Sequence, residues 1–257
     1  MTERSGYEPG TPSWVDLSTP DPDAAKRFYG ALFGWEAEEA GPVEETGGYS
    51  MFRLRGRQVA GVGPIMDPSQ PAVWSTYIAT DDADAAVERA RAAGGQAIVE
   101  PMDVMDAGRM AVLAHPAAGI VGVWQAGRHT GAELVNEPGA LTWNQLHTRD
   151  QDGAAAFYEA VFGWRRGDFG GMPMFELGDR GIASMADMPP GTPDQVPAFW
   201  MAIFAVQDTD ATVAQAGELG GQALGPPFDI PDVGRFAVLA DPHGVAFGVL
   251  TAPPQPA

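Results

Sequence analysis

Phe28-Tyr29-Gly30-Ala31-Leu32-Phe33-Gly34-Trp35 returns 129 positions later as Phe157-Tyr158-Glu159-Ala160-Val161-Phe162-Gly163-Trp164. With Ala25 in front, the apolar residues of the first copy fall at i, i+3, i+4, i+7 and i+8, the spacing of one helix face. Asp21 stands where an N-cap is needed and Gly34 where a helix can turn left-handed and stop. Ahead of the helix, Trp14-Val15-Asp16-Leu17-Ser18 alternates like a strand. Trp14, Leu17 and Asp21 also recur at the same offset, as Trp143, Leu146 and Asp150. The chain is therefore a duplicated domain.

Further along, the offset shortens to 126, with Trp74, Gly94-Gly95-Gln96-Ala97 and Gly108-Arg109 returning as Trp200, Gly220-Gly221-Gln222-Ala223 and Gly234-Arg235. Each half is itself double. Asp21-Pro-Asp23, Asp82-Ala-Asp84, Asp150-Gln-Asp152 and Asp208-Thr-Asp210 all stand between an extended apolar stretch and an alanine-rich amphipathic one, so a β-α-β-β-β unit is written four times. In the first two units the strands are expected near 14–18, 35–37, 49–54 and 58–62, then 73–80, 96–99, 110–114 and 119–124. The helices are expected up to Phe33 and over 84–93. The Asp pairs are read as helix caps in the field of the helix dipole rather than as metal ligands. Gly127 to Gly139, polar and rich in Gly, Asn and Pro, reads as a linker between domains 1–126 and 140–257.

A chain of 257 residues suits two domains of about 125 residues, each able to bury an interior of its own. Fifteen Lys and Arg against 34 Asp and Glu leave a formal charge of −19, which repels a phosphate backbone or an anionic membrane, so neither nucleic acid nor membrane is an expected partner. The absence of cysteine removes disulfides and thiolate chemistry. With no signal-like apolar segment near Met1 to Pro12 and no membrane-length apolar run, a cytoplasmic protein, monomeric or homodimeric, is expected. There is no dinucleotide or Walker glycine loop, no nucleophile elbow and no H-E-x-x-H.

Paired β-α-β-β-β units, the signature Phe28-Tyr29 with Leu32-Phe33-Gly34-Trp35 and its copy, and the closing turn Asp241-Pro242-His243-Gly244 together resemble the vicinal oxygen chelate superfamily. That superfamily groups glyoxalases, extradiol dioxygenases and bleomycin- or fosfomycin-resistance proteins. The resemblance covers Trp14 to Leu250. It implies an α+β fold of two tandem domains, each curling two units into a half-open cup of eight strands. In metal-using members it implies four His, Gln or Glu ligands per cup, on the first and last strands of each unit. Carried onto this chain, those positions fall at Trp14, Gly61, Ser75 and Gly122 in the first domain, and at Trp143, Ser184, Met201 and Gly248 in the second. Tryptophan offers only an N–H donor, glycine offers nothing, and a lone Ser or Met does not hold a divalent ion. Neither metal nor cofactor is therefore expected. Glycine at the floor and tryptophan at the rim suggest one Trp-walled hollow per domain for an apolar or aromatic ligand; alternatively the tryptophans fill the cups and the glycines accommodate them.

Strand alternation sets Asp16 beside Trp14, and Gln145 and His147 beside Trp143, on the faces that carry the eight positions. Tyr77, Trp74, Trp200 and Phe199 are strand aromatics that are either wall or core, and Tyr77 is counted among the candidate ligand contacts. Asp16 or His147 could act as a general base or acid. Arg109 and Arg235, beside Asp106 and Asp232, read as structural ion pairs, His115 and His243 as turn residues, and His129 as part of the linker. Two functions follow. One is a metal-independent small-molecule-binding protein that binds or sequesters an apolar or aromatic metabolite. The other is a glyoxalase-like enzyme of the lyase, isomerase or dioxygenase class, working on a small carbonyl or aromatic substrate through Asp16 or His147. A third arrangement has one domain binding while the other serves as its packing partner.

Overall fold

The four Asp pairs each start a helix in the computed structural model, which describes residues 3–67 and 70–253. The outermost residues of the two expected domains, 1–2 and 254–257, lie outside it. The first half runs β1 (Pro12–Thr19), α1 (Pro22–Phe33), β2 (Glu36–Glu39), a single turn α2 (Val43–Thr46), β3 (Ser50–Leu54) and β4 (Arg57–Pro64). It continues with β5 (Val73–Ala79), α3 (Ala83–Ala92), β6 (Gln96–Val104), β7 (Gly108–His115) and β8 (Gly119–Ala126). The second half repeats this with β9 (Leu141–Thr148), α4 (Gln151–Phe162), β10 (Arg165–Phe169), β11 (Met172–Leu177) and β12 (Arg180–Asp187). Its last unit is β13 (Phe199–Ala205), α5 (Thr209–Glu218), the short β14 (Gln222–Ala223) and β15 (Phe228–Ile230), β16 (Gly234–Ala240) and β17 (Ala246–Thr251).

Asp21, Asp82, Asp150 and Asp208 each accept the backbone N–H three residues on, filling the vacancy that a helix start leaves. Gly34 and Gly163 close α1 and α4 at φ 73°, a left-handed turn that a side chain would strain. The second Asp of three pairs meets an arginine: Asp84 binds Arg109, Asp152 binds Arg166 and Asp210 binds Arg235. Arg109 and Arg235 thus reach across to a helix start and to Asp103 and Asp229, not to Asp106 and Asp232 as their neighbourhood in sequence suggests. An arginine on one strand of a hairpin faces its cross-strand partner, whereas the aspartate three positions away lies in the turn.

Each half forms one sheet, ordered β2-β3-β4-β1-β5-β8-β7-β6 and β10-β11-β12-β9-β13-β17-β16-β14, with β15 also on β16. The two units of a half meet where their first strands pair antiparallel, β1 with β5 and β9 with β13. One face of each sheet is covered by helices, and the other is concave. The helical faces are pressed together: Thr76 Oγ1 donates to Asn144 Oδ1 at 2.9 Å between the two central strands.

The expectation of two separate interiors is corrected here. One core joins Leu17, Phe28, Tyr29 and Trp35 of the first unit to Phe204, Leu239 and Phe247 of the fourth. The other joins Ile78, Val87 and Leu113 of the second unit to Leu146, Tyr158 and Trp164 of the third. A helix of about three turns on one side of a small sheet leaves apolar surface uncovered, and the matching face of the other half covers it. The signature residues make the ties. Trp74 Nε1 donates to Tyr29 Oη, which donates to Asp241 Oδ2 in the closing turn of the other half. Trp200 Nε1 donates to Tyr158 Oη, which donates to Ala118 O. Trp74 and Trp200 are therefore core. Trp35 and Trp164 reach Gly139 O and Gly10 O through their indole N–H groups.

The segment 127–139 is not a free linker. Ala132, Leu134 and Val135 are buried, and the Ala132 and Glu133 N–H groups donate to Ser13 O and Gln58 O. Among the described residues, no helix is long and apolar enough to cross a membrane.

Candidate functional site: two cups, one filled

Alternation along β1 and β5 puts Val15, Leu17, Trp74 and Thr76 on the helical side, and so Trp14, Asp16, Ser75 and Tyr77 on the concave side. Asp16 lies in register with Gly61 and with Ser75, and Tyr77 with Trp14 and Gly122. All four inherited positions of the first cup thus converge on its floor.

That floor is not hollow. A Cβ on Gly61 would stand 1.8 Å from Tyr49 Oη, and one on Gly122 would stand 2.2 Å from the Tyr77 ring. The missing side chains at 61 and 122 are replaced in space by two tyrosines. Trp14 is 4% exposed, sealed by Ala132 and Val135 from the segment 127–139 and by His129, whose ring lies edge-on 4.4 Å away. The expected Trp-walled hollow at Trp14, Gly61 and Gly122 is therefore corrected: tyrosines and the connecting segment fill it. Tyr49 was not singled out from the sequence. Its signal was the pair Gly61 and Gly63 on the strand it lies against.

Around Asp16 the filling is polar. Trp14 Nε1 donates to Tyr49 Oη at 3.1 Å, and Tyr49 Oη donates to Asp16 Oδ2 at 3.2 Å. Tyr77 and Ser75 add hydroxyl hydrogen bonds to the same carboxyl. Burial outweighs those bonds and pushes Asp16 up to about 6, because a carboxylate loses more hydration than three hydroxyls return. Burial and the Asp16 charge push both tyrosines well above their ordinary range. His129 is driven down to about 4 by burial.

The second cup uses the same positions differently. Ser184, in register with Gln145, occupies the place of Gly61. Its Oγ accepts from Trp143 Nε1 at 3.0 Å and pairs with Gln145 Nε2 at 3.2 Å. A serine hydroxyl thus does for Trp143 what the Tyr49 hydroxyl does for Trp14. Met201 pairs in register with Gln145, and Phe199 with His147. The His147 and Phe199 rings stack at 4.9 Å, and His147 Nδ1 lies 3.1 Å from Asp187 O. Burial lowers the His147 pKa, which favours the neutral ring. Gly248 carries the Phe236 ring, 2.8 Å from where its Cβ would be, so here too an aromatic side chain covers the glycine. Among the described residues, the apolar cluster at this floor is drawn from strands β9, β13, β15, β16 and β17 alone, with no counterpart of Ala132 and Val135. Trp143, Gln145, Met174, Phe199 and Val238 stay part-exposed around buried Met201 and Phe236.

The inherited metal positions do not fit a divalent ion. They supply two indoles, three glycines, two hydroxyls and a thioether. Among the described residues, no group of three or more His, Asp or Glu is gathered closely enough to hold a metal ion. Asp16 and His147 lie in different cups, so they do not form an acid–base pair.

Comparison with known proteins agrees with the architecture. The family model "Glyoxalase/Bleomycin resistance protein/Dioxygenase superfamily" matches residues 11–121 and 140–249. The "Putative glyoxylase CFP32" of Mycobacterium tuberculosis is 46% identical over 265 residues, covering 99% of this chain and 100% of that protein. The "Anthracycline biosynthesis protein DnrV" of Streptomyces peucetius is 41% identical, covering 95% of this chain and 94% of its own. Among solved structures, the Mn(II)-bound glyoxalase from Novosphingobium aromaticivorans superposes with a TM-score of 0.64 at 17% identity, over 95% of this chain and 82% of that one. At that identity the likeness concerns the fold.

Proposed function

The chain belongs to the glyoxalase/bleomycin resistance protein/dioxygenase superfamily, and from that membership we propose that it binds an apolar, aromatic small molecule in its second cup, through side chains and without a metal ion. One contrast carries this reading: Tyr49, Tyr77 and the segment 127–139 fill the first cup, while the second keeps a part-exposed lining of Trp143, Phe199 and Met174 around a polar cluster at Ser184 and Gln145. Flat aromatic and thioether surfaces with a few fixed polar groups are the makings of a site for a ring-bearing ligand. A relative named for anthracycline biosynthesis supports it, since anthracyclines are fused-ring aromatics.

Native mass spectrometry and elemental analysis of the purified chain test the proposal. An organic mass that co-purifies, survives dialysis against a chelator and is lost in Met201→Trp is the expected result. One equivalent of divalent metal whose removal releases the ligand would overturn it.

Acid–base catalysis in the first cup is the second reading, favoured by a buried carboxyl poised near neutrality among Tyr49, Tyr77 and Ser75. It requires the segment 127–139 to lift. Turnover of a small carbonyl substrate that Asp16→Asn abolishes and His147→Phe spares would support it.

A further inference from the structure

Resting on the second cup as the binding site, we propose that its ligand is a hydroxylated aryl ketone, whose carbonyl oxygen accepts from the Ser184–Gln145 pair and whose separate hydroxyl donates to His147 Nε2. The class follows from counting hydrogen-bond valences. The Trp143 indole only donates, so one Ser184 lone pair is committed to it. With Gln145 Nε2 donating to the other, both lone pairs are filled and the Ser184 hydroxyl hydrogen has no acceptor among the described residues. With the amide turned the other way, Ser184 donates to the glutamine oxygen and both amide hydrogens are left over. In either orientation the pair keeps at least one polar hydrogen for something else.

His147 presents the opposite need. Asp187 O only accepts, so the ring nitrogen facing it, Nδ1, carries the proton. The neutral ring then holds a lone pair on Nε2, for which the protein provides no donor among the described residues. An unpaired donor and an unpaired acceptor thus sit on positions 145 and 147 of one strand face, about 6.6 Å apart along the strand. The surfaces between and beside them are the Phe199 ring, stacked on His147, and the Met201 thioether. A rigid aromatic skeleton spans that gap and keeps its two polar groups from collapsing on each other. None of these side chains carries a formal charge, so the complement is a neutral ligand.

The probes are 3-hydroxybenzophenone and 3-methoxybenzophenone, which differ in one donor hydrogen, titrated calorimetrically at pH 7.5 into the full chain. The hydroxyl compound is expected to bind about tenfold tighter. His147→Phe, which keeps a ring on Phe199, should bring the two to equal affinity. Ser184→Ala should weaken both by the same factor and leave their ratio unchanged. If wild type binds both equally and Met201→Trp excludes both, the donor–acceptor class is overturned while the cup remains the site. If neither binds, or Met201→Trp leaves binding untouched, the cup reading falls as well.

Discussion

Asp16 and Gln145 are the same position in the two halves, and the residue that faces each decides what it does. Where Gly61 leaves room, Tyr49 enters and donates to Asp16; where Ser184 stands, the hydroxyl comes from the strand itself. Two predictions belong at this scale. The first concerns pH. A carboxyl raised from 3.8 to about 6 on folding stabilises the fold below about pH 4, and that contribution is lost as pH rises through 6, because the folded state binds the extra proton. The difference in unfolding free energy between wild type and Asp16→Asn should therefore change by up to about 3 kcal/mol between pH 4 and 7, to the detriment of wild type. Chemical denaturation at several pH values reads it, and a flat difference would refute the buried titration. The second concerns space. Gly61→Ser alone drives Oγ and Cβ into the Tyr49 hydroxyl and should cost about 2–3 kcal/mol. Adding Tyr49→Met, the residue type that the second half carries at the matching position, Met172, should recover most of that loss. A double-mutant cycle measures the coupling, and strict additivity would show that the two halves do not share one design.

At the scale of elements, the helices are the cheapest feature to perturb. Asp208→Ala removes the side-chain acceptor for Ala211 N–H and should cost about 1 kcal/mol, read as a lowered denaturation midpoint with unchanged slope. Caps and strands were legible because their causes are local: an Asp at each helix start, a glycine at the end of α1 and α4, and alternation along β1 and β9. The partners of Arg109 and Arg235 were not. Asp84 and Asp210 lie 25 residues away in sequence, and only the strand pairing brings them close. The contents of the first cup were also hidden. Tyr49 follows Gly47-Gly48 and directly precedes an ordinary strand, so nothing local marks its ring as the filling over Gly61 and Gly63. His129, Ala132 and Val135 lie in a stretch whose Gly, Asn and Pro content describes its bends and not its burial. Of the positions that the resemblance implies, Trp14 and Trp143 follow by counting back from Asp21 and Asp150, and Gly122 and Gly248 by counting forward from His115 and Asp241. The filling of the first cup depends on contacts between distant segments, and periodicity does not carry those.

For the whole molecule, the boundary at 127–139 divides the sequence and cuts through both cores. Phe28 packs on Phe247 and Phe33 on Phe204, and Arg89 of α3 donates to Val161 O of α4. The halves should therefore melt together. Calorimetry is expected to give one transition with equal calorimetric and van't Hoff enthalpies, and residues 1–126 alone should lack the fixed packing of the full chain, read from the loss of near-ultraviolet dichroism. Two separate transitions would contradict the shared cores. Part of the charge of −19 sits in the Asp pairs that start α1, α3, α4 and α5. The segment that lies over Trp14 has a further bearing on how the molecule counts its guests. A chain built twice invites an expectation of two equivalents at saturation. With Ala132, Val135 and His129 lodged over the first cup as a tethered stopper, a titration should instead level off at a molar ratio of one. Opening the dormant copy takes both a plain glycine–serine spacer in place of that stretch and truncation of the Tyr49 and Tyr77 rings that fill its floor; together these should raise the plateau toward two.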